Sequence, residues 1–227
     1  MRFMRIRAIG PAGLLVTAVT AGAIGPAAGS AMAGTGVPER AAPTLNGQLF
    51  GVAATSASNA WAVGAATSGK TIILHWDGST WARVPSPTPA GIYELSAVAA
   101  TSASNAWAVG GSETPPGKTF ILHWNGTAWT RVMSPDPAGT GKDNDLSGVA
   151  TTASNTAWAV GSFDDSNNNQ QALLLRWDGS SWQQVQIPTS GDSSGLSGVG
   201  ASSSGNAWAV GTDVSGTTGQ TLALHCS

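Results

Sequence analysis

One five-residue segment, Ala-Trp-Ala-Val-Gly, occurs four times in this chain, and its spacing limits the fold more than any other feature. The copies are Ala60–Gly64, Ala106–Gly110, Ala157–Gly161 and Ala207–Gly211, at intervals of 46, 51 and 50 residues. A second block follows three of them: HWDGSTW at His75–Trp81, HWNGTAW at His123–Trp129 and RWDGSSW at Arg176–Trp182. All ten tryptophans fall in these two blocks. A period near 50 residues built from short apolar pieces points to an array of small units, each burying its apolar face against a neighbour.

Each unit divides into four such pieces. The first is Leu-x-x-Val, at Leu49–Val52, Leu95–Val98, Leu146–Val149 and Leu196–Val199, in a setting of Ala, Gly and Ser that suits a crowded inner strand. The second is the AWAVG strand, whose Trp and Val alternate onto one face. In the third, Ile72, Leu74 and Trp76 share a face, as do Phe120, Leu122 and Trp124, then Leu173, Leu175 and Trp177, then Leu222, Leu224 and Cys226. Asp77-Gly78, Asn125-Gly126 and Asp178-Gly179 supply the residues of a tight hairpin, and the fourth piece runs from Trp81, Trp129 or Trp182 to a Val. Proline-rich tails such as Pro85-Ser86-Pro87 stop that strand, because Pro cannot donate to a ladder. No stretch has helical periodicity. The expected fold is therefore all-β, a β-propeller of four-stranded antiparallel blades, with three complete repeats and one truncated. The blades span about 45–90, 91–140, 141–190 and 191–227.

The WDGSTW hairpin resembles the Asp-box of propeller proteins, and the AWAVG–HWDGSTW combination resembles repeats of secreted bacterial β-propellers of Asp-box or kelch-like type. The resemblance spans residues 45–227. One residue fewer separates the Asp from the Trp than in an Asp-box, and Asn125 replaces Asp in repeat two. It implies a fold and transfers no catalytic residue.

Residues 1–33 read as a secretory signal. Arg2, Arg5 and Arg7 precede an apolar Ala/Gly-rich stretch, and Ala31-Met32-Ala33 offers cleavage before Gly34. A secreted, extracellular protein is expected, with no stable membrane insertion after cleavage. The remaining chain has a net charge of about −5, which gives no electrostatic footprint for nucleic acid.

Unit four stops at Ser227, before the WDGSxW hairpin, and an unpaired strand edge invites a partner. Three completions are open: residues 34–44 as a closing strand of a four-bladed ring, two chains joined into a larger ring, or a truncated fragment of a larger propeller. A homodimer through the open blade edge or through Cys226, the one cysteine, belongs to the second.

Candidate chemistry is sparse. His75, His123 and His225 hold one equivalent position, but on the third strand, away from the axis, so local packing is expected and no metal site. The Asp164–Asn169 and Lys142–Asp145 loops are oxygen-rich without an established calcium-loop signature. Tyr93 beside Glu94 is the one pair suggestive of glycosidase chemistry. No catalytic residue, metal or cofactor is assigned. The tryptophans are expected in blade cores, with hairpin-proximal Trp81, Trp129 and Trp182 as candidate ligand contacts. The functional expectation is a non-catalytic binding module for an extracellular glycan or protein, with its ligand on loops 64–70, 111–118, 162–170 and 212–220 or on the opposite inter-blade loops. The alternatives are a lectin, the remnant of a glycoside hydrolase-type propeller, or a fragment.

Overall fold

The computed structural model describes residues 43–227 other than 88, 140, 189 and 190. The expected signal segment and residues 34–42 of the expected closing strand lie outside them; residues 43 and 44 belong to no strand. The described chain is all-β. Its fifteen strands are β1 (Gly47–Ser56), β2 (Asn59–Ala66), β3 (Thr71–Trp76), β4 (Trp81–Arg83), β5 (Tyr93–Ser102), β6 (Asn105–Ser112), β7 (Thr119–Trp124), β8 (Trp129–Val132), β9 (Asn144–Ala153), β10 (Thr156–Asp164), β11 (Gln170–Trp177), β12 (Trp182–Gln184), β13 (Ser193–Ser203), β14 (Asn206–Ser215) and β15 (Thr218–Cys226). They form four antiparallel sheets in simple up-and-down order: β1–β4, β5–β8, β9–β12 and the three-stranded β13–β15. The first strands of successive sheets pack beside one another, β1 on β5, β5 on β9 and β9 on β13, which is the arrangement of propeller blades.

The Leu-x-x-Val spacing has a structural cause. Leu and Val three residues apart would face opposite sides of a regular strand. In every first strand the register slips just after the Leu, between Leu49 and Gly51, Leu95 and Ala97, Leu146 and Gly148, and Leu196 and Gly198. A bulged residue at each slip returns the Val to the face of the Leu. Leu95 and Val98 accordingly lie in one buried cluster.

The same bulge accounts for the glycine that ends AWAVG. Gly110 pairs with Leu95, and a Cβ there would stand 2.2 Å from the Glu94 carbonyl oxygen. The corresponding approach is 1.9 Å at Gly64, 2.0 Å at Gly161 and 1.9 Å at Gly211. Only a residue without a side chain lets the bulged backbone come this close.

The core lies in three seams between sheets. Trp61, Val63 and Ile73 project from the first sheet onto Leu95, Val98, Phe120, Leu122 and Trp129 of the second. Trp107, Val109 and Ile121 repeat this against Leu146, Val149, Leu173, Leu175 and Trp182. Trp158, Val160 and Leu174 repeat it against Leu196, Val199, Leu222, Leu224 and Cys226. In the first two seams the projecting Trp sits between two tryptophans of the next sheet. Trp61 lies 4.9 Å from Trp124 and edge-on at 5.1 Å to Trp129; Trp107 lies 5.0 Å from Trp177 and edge-on at 5.1 Å to Trp182. Cys226, paired to Ala207 as Trp124 is to Ala106, takes that place in the third seam.

The indole N–H groups of Trp61, Trp107, Trp129, Trp158 and Trp182 find no acceptor among the described residues. Each orphan costs roughly 1–3 kcal/mol. Burying a Trp removes about 150–250 Å², worth roughly 4–6 kcal/mol, so burial prevails.

Candidate ligand face on the variable loops

Up-and-down connection sends alternate turns to opposite edges of the array, and the two edges differ. On one edge the copies are equal in length. The first hairpin runs from Ala54 to its partner Ala60, Ala100 to Ala106, Thr151 to Ala157 and Ala201 to Ala207. The third runs from Trp76 to Trp81, Trp124 to Trp129 and Trp177 to Trp182. On the other edge the hairpins run from Gly64 to Ile72, Gly110 to Phe120, Gly161 to Leu173 and Gly211 to Leu222, each of a different length.

The constant edge is occupied by turn chemistry. The Asp77 carboxylate accepts bonds from Thr80 N at 2.8 Å, and from Ser79 Oγ and Ser79 N, each also at 2.8 Å. These bonds hold its pKa down to about 2. Asp178 does the same with the Ser180 hydroxyl and the backbone of Ser181 and Ser180, and its carboxyl is also held low. Asn125 serves uncharged, accepting from Thr127 N and Ala128 N. The following glycines sit at φ +99°, +94° and +100°, where a side chain would be strained.

The three histidines are held apart in their own sheets. His75 Nε2 lies 2.8 Å from Asn59 Oδ1, His123 2.8 Å from Asn105 and His225 2.9 Å from Asn206. The Asn59 and Asn105 amides donate to Thr55 and Thr101, so Nε2 carries the proton in the first two pairs. Each ring also lies against the projecting Trp of its sheet, at 4.3, 4.2 and 5.0 Å. Burial pushes the pKa of His75 and of His123 down. The third repeat replaces both partners together: Thr156 stands for Asn and Arg176 for His, and the Arg176 guanidinium lies 5.3 Å over the Trp158 ring. That joint change, visible in the sequence, is the signal from which the pairing could have been found.

On the variable edge the loops are laced to the inter-blade connections. Tyr93 N donates to Gly69 O, Glu113 N to Ile92 O, Asn144 N to Gly117 O, Asp164 N to Asp143 O and Asp192 N to Val214 O. Asp136 accepts from Thr119 and pairs with Lys118 at 3.4 Å. The two oxygen-rich loops meet here: Lys142 Nζ donates to Ser166 O and Asn168 Oδ1, while Asp165 Oδ1 accepts from Asn167 N and Asn169 N. Asp143 Oδ1 accepts from Gly117 N at 2.6 Å. The cation bridging these loops is thus an ammonium group of the chain itself. Acidic residues predominate: Glu94, Glu113, Asp136, Asp143, Asp145, Asp164, Asp165, Asp192 and Asp213 against Lys70, Lys118 and Lys142.

The candidate ligand tryptophans fare differently. Trp129 and Trp182 are each 3% exposed, packed edge-on against Trp61 and Trp107. A ligand in solvent does not reach them, which corrects that expectation. Trp81 is half-buried, because no sheet of the described chain covers its face. Tyr93 is buried against Phe120 at 4.8 Å, and Glu94 follows it on the strand, facing the other way. Cys226 is partly buried, and burial pushes its thiol pKa up, which lowers its thiolate fraction.

No protein-family model matches the chain, and no curated protein matches it. Among solved structures it is similar to YCF48 bound to D1 peptide, at 15% identity and TM-score 0.40, over 74% of this chain and 63% of that one. It is also similar to YCF48 from Cyanidioschyzon merolae, at 14% identity and TM-score 0.43, over 81% and 58%. A third similarity is to the GH43 endo-arabinanase from Bacillus licheniformis, at 10% identity and TM-score 0.47, over 81% and 73%. The chain spans less than two thirds of either YCF48 chain.

Proposed function

We propose that this chain is an exported, non-catalytic β-propeller module that binds a protein partner through the variable-loop edge of its blades. The observation that carries the reading is the difference between the two edges. Turns on one are copied from repeat to repeat, while hairpins on the other each have their own length and composition. In repeat arrays, insertions gathered on one face commonly mark the binding face. The acidic balance of that edge supports a partner segment carrying positive charge. Export is supported by Arg2, Arg5, Arg7 and the Ala31-Met32-Ala33 site.

The test is parallel binding to a peptide library and a glycan array. The expected result is retention of basic peptides, weakened by salt and weakened about fivefold in Glu113→Gln/Asp165→Asn, which removes two rim charges worth ~0.2–1 kcal/mol each. Retention of glycans with no basic peptide, or of peptides equally by the double variant, would overturn the reading.

A further inference from the structure

Each of the three seams consists of a plug and a socket. The plug is the projecting Trp with the Val two residues on. The socket is the Leu/Val of the next inner strand and the two apolar residues of its third strand, with two tryptophans beside them in the first two seams and Cys226 in the third. Sheets two and three use both faces in this way. The first and fourth sheets each have one face left over, and no extensive contact joins them.

The left-over faces are the two halves of one further seam. On the first sheet, Leu49 is 48% and Val52 64% exposed, whereas their copies Leu95 and Val98 are 0% and 8% exposed. There Leu49, Phe50, Val52, Ala62, Leu74 and Trp81 line a shallow hollow of about 330 Å³. Their counterparts Leu95, Val98, Ala108, Leu122 and Trp129 are the residues against which Trp61 packs. On the fourth sheet, Trp208 is 47% and Val210 51% exposed, although their copies Trp107 and Val109 are fully buried. Trp208 is already held for that role, stacked on His225 at 5.0 Å and 24°. Among the described residues, the floor of this socket (Ala62 and Leu74, 6% and 2% exposed) is covered by Leu45 and Trp81, while its side of Leu49, Phe50 and Val52 is open. An unseated plug of matching pattern stands on the fourth sheet.

We infer that two copies of this chain join head to tail, Trp208 and Val210 of each seating in the Leu49–Val52–Leu74–Trp81 hollow of the other. The contact continues the seam already made three times within the chain, so its chemistry is established by the protein itself. It is heterologous, plug to socket, and closes when two such contacts form one ring. Two copies bring eight sheets, within the roughly four to eight blades of β-propellers.

The experiment is sedimentation equilibrium on protein expressed from the full chain, with Trp208→Arg and Val52→Arg variants. Both positions are exposed within one chain, so neither substitution disturbs a buried contact. The wild type is expected at twice the chain mass and each variant at the single mass, with unchanged far-ultraviolet circular dichroism. Mixing the variants is decisive, because each keeps the half that the other lost. One native seam should form, giving a two-chain species that neither variant makes alone. A wild type of single mass, including one in which other residues of the same chain cover the hollow, overturns the inference. So does a dimer indifferent to both variants, a mixture that stays at single mass, or an open-ended polymer. These masses do not depend on any ligand, so the binding reading stands or falls separately.

Discussion

Individual residues in this protein are constrained by backbone proximity and by turn electrostatics. Gly110 is the clearest case. Ala at this position would press its Cβ on the Glu94 carbonyl and force the bulge open, a loss of about 1–3 kcal/mol by analogy with overpacked cores. Gly200 is the control: it holds the place of Ala53, Ala99 and Ala150, and a Cβ there meets nothing within 4 Å. Gly200→Ala is expected to gain about 0.4–1 kcal/mol by restricting the unfolded chain; urea midpoints of the two variants should move in opposite directions. The acid limb of stability also belongs at this scale. Asp77 and Asp178 have folded pKa values below the ordinary carboxylate range, so their contribution is present above about pH 4 and is lost as pH falls toward 2. His75 and His123 are depressed by burial, so the fold favours their neutral forms and stability falls as pH drops below about 6.5. Asp77→Asn, which copies the uncharged Asn125 turn, should flatten part of the limb between about pH 4 and 2, Asp178 keeping the rest. Because the Asp77 charge raises the His75 pKa, the same change should steepen rather than relieve the histidine limb. An unchanged low-pH limb in a urea-midpoint series would refute the assignment.

At the scale of the element, most of what the sheets do was legible in the repeat, and the exceptions have identifiable physical causes. Alternation put Trp107 and Val109 on one face of their strand and Phe120, Leu122 and Trp124 on one face of theirs; the seams show these to be opposite faces of the sheet. The bulge was written in the Leu-x-x-Val spacing, since three residues cannot keep one face without an irregularity, but only the pairing of Leu95 with Gly110 makes it visible. The junction of the two oxygen-rich loops was not legible. Lys142 stands on the connection into β9 and Asn168 on the β10–β11 hairpin, and their meeting depends on the pairing of β9 with β10 within one sheet. The burial of Trp129 and Trp182 followed from the fixed-slot argument, yet their nearness to the hairpin suggested exposure; the adjacent sheet covers them. Position in the array, not in the repeat, then decides what a tryptophan contributes. Trp107→Ala should cost about 3–5 kcal/mol. Trp208→Ala, the same slot in the fourth unit, should cost under about 1 kcal/mol in dilute protein, where its face is exposed. Equal costs in denaturant titrations at low concentration would contradict the end-face assignment.

For the whole molecule, stability is a sum of sheet terms and seam terms, as in other arrays whose units touch only their neighbours. The second and third sheets each share two seams and the first and fourth only one, so opening should begin at the ends. Amide hydrogen exchange at low concentration is expected to show the greatest protection in β6, β7, β10 and β11 and less in β2, β3, β14 and β15. The seam between copies changes that order in a defined way. Association adds one seam to each end sheet and none to the middle ones, so raising the protein concentration should slow exchange in β2, β3, β14 and β15 and leave β6 and β7 nearly unaltered. In Trp208→Arg the ends should stay fast at every concentration. A concentration dependence spread evenly over all four sheets would mean that copies associate somewhere other than these two faces. The residues of this seam lie on the faces of the end sheets, so it is separable from binding at the variable loops. Ligand engaged there should protect the Lys142 and Asp165 loops without altering the end strands.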